Sequence, residues 1–374
     1  MSRARRRWLL GQVIVWGLGI ALLRVAVVPG ESCPAVSRAS VSNAIDAGAD
    51  WLVRGQRPDG RFRYAYDSRS GEVSADYNTT RHAGVIDALY RAGRVDAADT
   101  GLGYARERMV NDASWTAFAP ADEDPNAGAN ALLLAALIHR RELTRDRRFD
   151  ALARGIARFL VSQTRPDGSV LQFWSRSTRQ PVPDVFGKFS TGETFYALAL
   201  MNEAFPGEGW DADAHRIGLY LATRRDQAEG YALRQADHWA AYGLAELSES
   251  GLTDAETEYA RWLAGYFGFL VRFDSQHVGR FLGDGLGSGA GLGVVGEGTA
   301  ALWRAAGTDP ELADLRAPLA ERVRCEAGII VARQTPVADP NPNERGAWFK
   351  DSYTQMDDQQ HAIAALIATQ DVLR

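Results

Sequence analysis

The sequence predicts an all-α protein built as a double ring, six helices inside and six outside, preceded by one N-terminal hydrophobic helix. Three observations lead there. First, a helix with a polar start and an almost continuously apolar body returns six times, beginning near Asn78, Asn126, Ser190, Ala236, Gly293 and Asp357. The intervals, roughly 45 to 65 residues, have supersecondary size, and self-similarity at such a period marks an array or a closed ring. Second, six ordinary amphipathic stretches alternate with these, at 41–54, 95–110, 147–161, 211–223, 254–271 and 311–332. A helix that is apolar all round belongs inside, and one with a single apolar stripe belongs outside it. Third, the connections alternate in length. Those from inner to outer helices are mostly short, as at 93–94 and 251–253. The returns, at 55–77, 111–125, 162–189, 226–235, 272–292 and 333–356, are mostly long. Long loops without secondary structure of their own are usually functional. All six gather where the inner helices begin, so that end is the expected working face.

In chain order, residues 1–28 stand apart. The cluster at 2–7 (SRARRR) is followed by an uncharged run over 8–23, Arg24, and a further apolar stretch. This is the layout of a secretory signal or an uncleaved signal-anchor. The basic cluster stays on the cytoplasmic side, which puts the remainder outside the cytoplasm, secreted or anchored through residues 8–28. No clean small-x-small cleavage site follows, which favours the anchor. Residues 29–40 read as a linker and 41–374 as one domain, because a continuous six-fold repeat leaves no boundary inside it. The 46% apolar content is ample for a core, and a net charge of -5 leaves no basic footprint for nucleic acid.

Cys33 follows the apolar segment and Cys325 falls in the last outer stretch. In a closed ring the sixth hairpin sits beside the first, so the two can meet, and an oxidising compartment permits a disulfide. The alternative is two unrelated thiols, with Cys325 a small buried apolar residue.

Two long loops open alike, at 56–62 (QRPDGRF) and 163–169 (QTRPDGS). Pro-Asp-Gly is a turn signal, since proline presets the first bend and glycine supplies positive φ. The Gln before each turn is expected to satisfy helix-end backbone groups. Residues 62–66 and 170–174 should then run extended.

The six inner–outer pairs resemble the (α/α)6 toroid proteins, which include six-hairpin glycosidases, many polysaccharide lyases and the terpenoid cyclase/prenyltransferase superfamily. The resemblance covers residues 41–374 and is architectural. The Gln-x-Pro-Asp-Gly-x-Phe unit is similar to the Gln…Trp motif of squalene cyclases, but Phe62 stands where that family has Trp. Asp357-Asp358-Gln359-Gln360 does not reproduce that family's acidic motif. Prenyltransferase subunits and lanthionine cyclases hold zinc with cysteine, and neither Cys33 nor Cys325 falls at the working face.

Inner-helix N-termini point unsatisfied N–H groups at the mouth, so each polar residue there has a plain alternative role as a helix cap. Tyr77, Asn78, Arg81 and His82 form the densest polar cluster. Arg81 can clamp a carboxylate or a sugar hydroxyl, and His82 can move protons near neutral pH; an Arg–carboxylate strut between helices is the alternative. Glu193, Asp237 and Glu297 open the third, fourth and fifth inner helices, and Asp357, Asp358, Gln360 and His361 cluster in the sixth. Carboxylates flanking a sugar are the minimum apparatus of glycoside hydrolysis. The expected catalytic set is therefore Glu193, Asp237, Glu297 and His82. Tyr77, Asn78, Arg81, Asp358, Gln360, His361 and Trp348 are expected to bind substrate. Trp115, Trp174, Trp239 and Phe349 also fall in or beside the long loops, to stack on sugar faces or simply to pack. The run 283–293 (GDGLGSGAGLG) lacks a phosphate-loop lysine and reads as a flap or close-packed loop. No cofactor and no metal is expected, since nothing in the spacing of His82, His238 and His361 supports a site.

The sequence thus points to an extracytoplasmic glycoside hydrolase acting on a polysaccharide or oligosaccharide. The alternatives are a polysaccharide lyase or uronate epimerase using His82 as base, a terpenoid cyclase-like enzyme, and a non-catalytic surface protein binding a glycan or peptide.

Overall fold

The computed structural model describes residues 3–27, 33–275 and 290–374. The first helix is α1 (Arg3–Val27), and its segment Arg5–Leu23 is exposed and is long and apolar enough to cross a membrane. The inner helices are α3 (Thr79–Arg91), α5 (Ala127–Thr144), α7 (Ser190–Ala204), α10 (His238–Leu247), α12 (Ala290–Thr308) and α14 (Met356–Val372). The outer ones are α2 (Arg38–Arg54), α4 (Val95–Arg106), α6 (Asp150–Gln163), α8 (Trp210–Thr223), α11 (Asp254–Ser275) and α13 (Arg316–Arg333). A short helix, α9 (Arg225–Ala228), follows α8, and a 3-10 turn, Pro310–Leu315, leads into α13.

Burial separates the two rings. Every residue from Ala127 to Ile138 of α5 is buried, as is every residue from Ser190 to Met201 of α7. Outer helix α6 buries a stripe that includes Ala153, Ile156, Ala157, Phe159 and Leu160. Each inner helix packs on the next in chain order, and α14 packs back on α3, so the inner ring is closed.

Closure is fixed at several points. Outer helix α2 lies against α14. Strand β1 (Ala65–Asp67) pairs antiparallel with β2 (Tyr353–Gln355), Tyr66 opposite Thr354, which joins the first long loop to the last. The Trp51 indole donates to the Asn343 carbonyl at 2.7 Å. Cys33 and Cys325 form a disulfide across 292 residues of sequence. Constraining so long a loop in the unfolded chain contributes on the order of 5 kcal/mol at most. Native protein should therefore show no titratable thiol, and Cys33→Ser should lower the melting temperature in a way that reductant reproduces in the parent.

Both Pro-Asp-Gly turns dock on the next outer helix. Gly60 (φ +89°) sits under the Thr100 carbonyl of α4 and Gly168 (φ +93°) under the Arg216 carbonyl of α8, where a Cβ would come within 2.5 Å and 2.2 Å. The glutamines act differently from expectation. Gln56 donates to Ala97 O in the neighbouring outer helix, and Gln163 to Leu171 O in its own loop. Each amide thus braces the loop instead of ending its own helix.

Candidate active site

The first turns of the inner helices surround a cavity of about 320 Å³. All six contribute: Asn78, Thr80 and Arg81 from the start of α3, Leu132 from α5, Phe189 and Glu193 at α7, His238 and Trp239 from α10, Ala290 and Val294 from α12, and Asp357, Gln360 and His361 from α14. Asn78 also caps α3, its Oδ1 accepting from Arg81 N–H at 2.9 Å.

Arg81 reaches the neighbouring inner helix, its Nε 3.1 Å from Asp357 Oδ2, and it also donates to the Tyr64 hydroxyl. The other oxygen of Asp357 is buried with no partner. Glu193 comes from α7, three places round the ring and so opposite α14. Its carboxyl lies over Gly128 of α5, whose missing side chain makes the room: a Cβ there would come 2.1 Å from Glu193 Oε2. Burial, reinforced by the nearby Asp237, pushes the Glu193 carboxyl up to about 8. At neutral pH it is an uncharged acid facing the cavity.

Glu297 sits two turns inside α12 instead of opening it, because the helix begins at Ala290. That depth puts its carboxylate, 0% exposed, beneath the cavity between the imidazoles of the two flanking helices. His361 Nδ1 lies 3.3 Å from both Glu297 oxygens, and His238 Nε2 lies 3.5 Å from Oε2. Burial opposes a proton on His361, but the Glu297 carboxylate outweighs it and raises the imidazole above its usual value. Burial also raises the Glu297 carboxyl above its usual value. His238 is driven well below the usual histidine range, by burial and by the nearby His361. Neither of its ring nitrogens has a hydrogen-bond partner. The two rings meet edge to face, centroids 5.3 Å apart, with Phe189 against His238 and Trp239 beside both.

Several of the expected site residues lie elsewhere. His82 faces the outer ring: it is fully buried, Nε2 donates to the Gly101 carbonyl at 3.0 Å, and Nδ1 accepts from the Tyr77 hydroxyl at 2.6 Å. Burial lowers it to about 4, so it is a neutral strut between α3 and α4, and Tyr77 is committed to it. Asp237 caps α10 through Trp239 N–H and Ala240 N–H, and pairs with Arg225 Nη1 at 2.7 Å, both side chains buried. Asp358 accepts from Ala290 N–H and Gln355 N–H, and burial raises its carboxyl to about 6. Trp348 is 0% exposed, packed over Gly48 and bonded to the Ile330 carbonyl. Trp115 and Trp174 pack on each other. Of the loop aromatics singled out in the sequence, Trp239 alone lines the cavity. Residues 283–289 of the glycine-rich run lie outside the described residues.

Phe189 precedes a helix and carries no polar signal, so nothing in the sequence marks it. Of the two adjacent acids in the sixth-helix cluster, Asp358 is the one expected to bind substrate, but it is Asp357 that lines the cavity.

No protein-family model matches the chain, and no curated protein matches it in sequence. Solved structures do match. Cellobiose 2-epimerase from Spirochaeta thermophila superposes with a TM-score of 0.61 at 13% identity, over 90% of this chain and 96% of that one. A glycoside hydrolase family 76 mannosidase from Bacteroides thetaiotaomicron gives 0.57 at 12%, over 89% and 98%. A type II terpene cyclase from Scytonema gives 0.53 at 13%, over 90% and 99%. At such identities the likeness is one of fold. With its closed inner ring and its outer ring, the chain has the (α/α)6 toroid fold.

Proposed function

We propose that the protein is a carbohydrate-active enzyme, a glycoside hydrolase held outside the cytoplasm by its N-terminal apolar helix. The observation that carries this reading is the pair of carboxyl groups on opposite sides of one cavity. Glu193 keeps its proton at neutral pH, and Asp357 is ion-paired to Arg81. Glu193 would protonate the departing glycosidic oxygen while Asp357, steadied by Arg81, serves as base or nucleophile from the other side. Asn78 and Gln360 offer hydrogen bonds to hydroxyls, and Trp239 and Phe189 offer ring faces to the apolar side of a sugar. The neighbours named for sugar chemistry, the mannosidase and the epimerase, are in keeping with this.

A second reading rests on His238 and His361 meeting over Glu297 in the same cavity. Two imidazoles facing one substrate suit removal and return of a proton at carbon, the chemistry of an epimerase, isomerase or lyase. It takes over the role that His82 was expected to play.

The test is a panel of polysaccharides and oligosaccharides incubated with the full chain. New reducing ends, unsaturated uronate absorbance and epimer composition are read together. The hydrolase reading expects reducing ends alone. Unsaturated uronate, which a lyase forms together with each new reducing end, or epimerised product without new reducing ends would replace it, and retention of a ligand without any product would leave a glycan-binding protein.

A further inference from the structure

Three consecutive inner helices, α10, α12 and α14, bring His238, Glu297 and His361 to one point. Nitrogen or oxygen atoms from all three lie within 4.8 Å of one another. We propose that these residues form a three-ligand site for a borderline divalent transition ion of the zinc type, with an open coordination position facing the cavity. The inference goes beyond the hydrolase reading and does not depend on it.

Geometry is the first support. A tetrahedral ion with nitrogen and oxygen ligands at about 2.0–2.1 Å sets neighbouring ligand atoms roughly 3.3 Å apart. The separations from Glu297 are 3.3 Å to His361 Nδ1 and 3.5 Å to His238 Nε2. Small side-chain adjustments would therefore suffice to close the set around an ion.

The second support is independent of spacing. His238 is 2% exposed, and both of its ring nitrogens are buried without a hydrogen bond, although Glu297 Oε2 is 3.5 Å away. A buried imidazole left wholly unsatisfied is costly, and an ion would satisfy one of the two nitrogens. Glu297 adds to this. Asp358 is committed to backbone N–H groups and Asp237 to an arginine, whereas both Glu297 oxygens face imidazole.

The donor set selects the class of ion. Two imidazoles and one carboxylate suit zinc and its neighbours, while magnesium and calcium favour oxygen ligands. Three protein ligands are the pattern of a catalytic site that keeps a position open. That position faces the cavity, because both histidines line it and Glu297 lies behind them. A water or a substrate hydroxyl would take it, where the ion would lower its pKa or fix its orientation. No metal is expected from the sequence, where nothing in the spacing of His82, His238 and His361 supports a site; in the fold His82 faces outward, and Glu297 completes the set instead.

The test uses the untagged full chain in detergent, stripped with chelator and titrated with Zn²⁺ and with Co²⁺ in the absence of any substrate. One equivalent should bind, and bound Co²⁺ should give the intense visible absorption of a low-coordinate nitrogen–oxygen site. His238→Ala and Glu297→Gln should each weaken binding by about 100-fold or more, while His215→Ala, which removes an outer-helix histidine paired with Glu256, should leave it unchanged. If His238→Ala folds poorly, His361→Asn supplies the same readout. Absence of stoichiometric uptake, or uptake that survives these substitutions, overturns the site and leaves the imidazoles free for proton transfer. Hydrolysis through Glu193 is measured separately on the chelated protein, so failure of one proposal does not decide the other.

Discussion

Glu193→Gln should lower kcat/KM by roughly two to four orders of magnitude on any glycoside the protein cleaves, the usual worth of a general acid, and should also make the protein more stable. Both effects follow from the carboxyl being pushed up to about 8 by burial and by Asp237. The folded state keeps a proton that the unfolded chain releases near the ordinary carboxylate value of 4.5. Between those two values the folded state binds more protons, so the stability contributed by Glu193 falls as pH rises. Glutamine has no such penalty. The gain in unfolding free energy should thus be small near pH 4, grow through pH 5–8 and level off above about 8, reaching on the order of a few kcal/mol. The rate runs through the same proton. The parent's kcat/KM should fall as pH rises through about 8, and the residual activity of the variant should lack that limb. A stabilised variant with undiminished turnover would show Glu193 to be buried but not the acid.

Arg225→Met should be the most destabilising of the substitutions considered, by about 3–5 kcal/mol, because it strands a buried carboxylate. Burial works against the charge on Arg225, yet Tyr259 and Asp237 around it hold it above its usual value. Asp237 is pushed up by burial against the opposing pull of that guanidinium. The pair clamps the start of α10, and Gly192 of α7 leaves room for it, since a Cβ there would come 2.4 Å from Asp237 Oδ2. Adding Asp237→Asn to Arg225→Met should recover much of the loss, because the orphaned charge is gone. Urea unfolding of the parent, the single variant and the double variant measures this directly. An unchanged midpoint in Arg225→Met would remove the structural role assigned to Asp237.

The architecture was legible because it is written in periodicity. The unbroken apolar run of α5 and the striped pattern of α6 differ in a way that requires no partner to interpret, and the helices fall within a few residues of their expected starts. The end of the ring where the site lies was legible too, from the long loops and the polar first turns. Which polar residue faces inward was harder to read. Arg81 and His82 are neighbours on one helix, and successive side chains point about 100° apart. Arg81 turns to the cavity, so His82 is directed at the outer ring, where the Gly101 carbonyl receives it. Asp357 and Asp358 divide in the same manner, one to Arg81 and the other to the backbone at its own helix start and that of α12.

The two rings, the apolar N-terminal helix and the neighbourhood of the first and sixth hairpins, which lets Cys33 and Cys325 meet, can all be read from the chain alone. These follow from local burial patterns and from chain order, which carry through to the fold unchanged. The disulfide itself and the polar pairings emerge only on folding: Asp237 with Arg225, Glu193 over Gly128 and across from Asp357, and Glu297 between His238 and His361. Each depends on the rotation and depth of one helix against another, quantities set by packing around the whole ring. A carboxylate that caps a helix and one that faces a substrate carry the same letter at the same place in a repeat. They differ only in which neighbour the closed ring sets beside them.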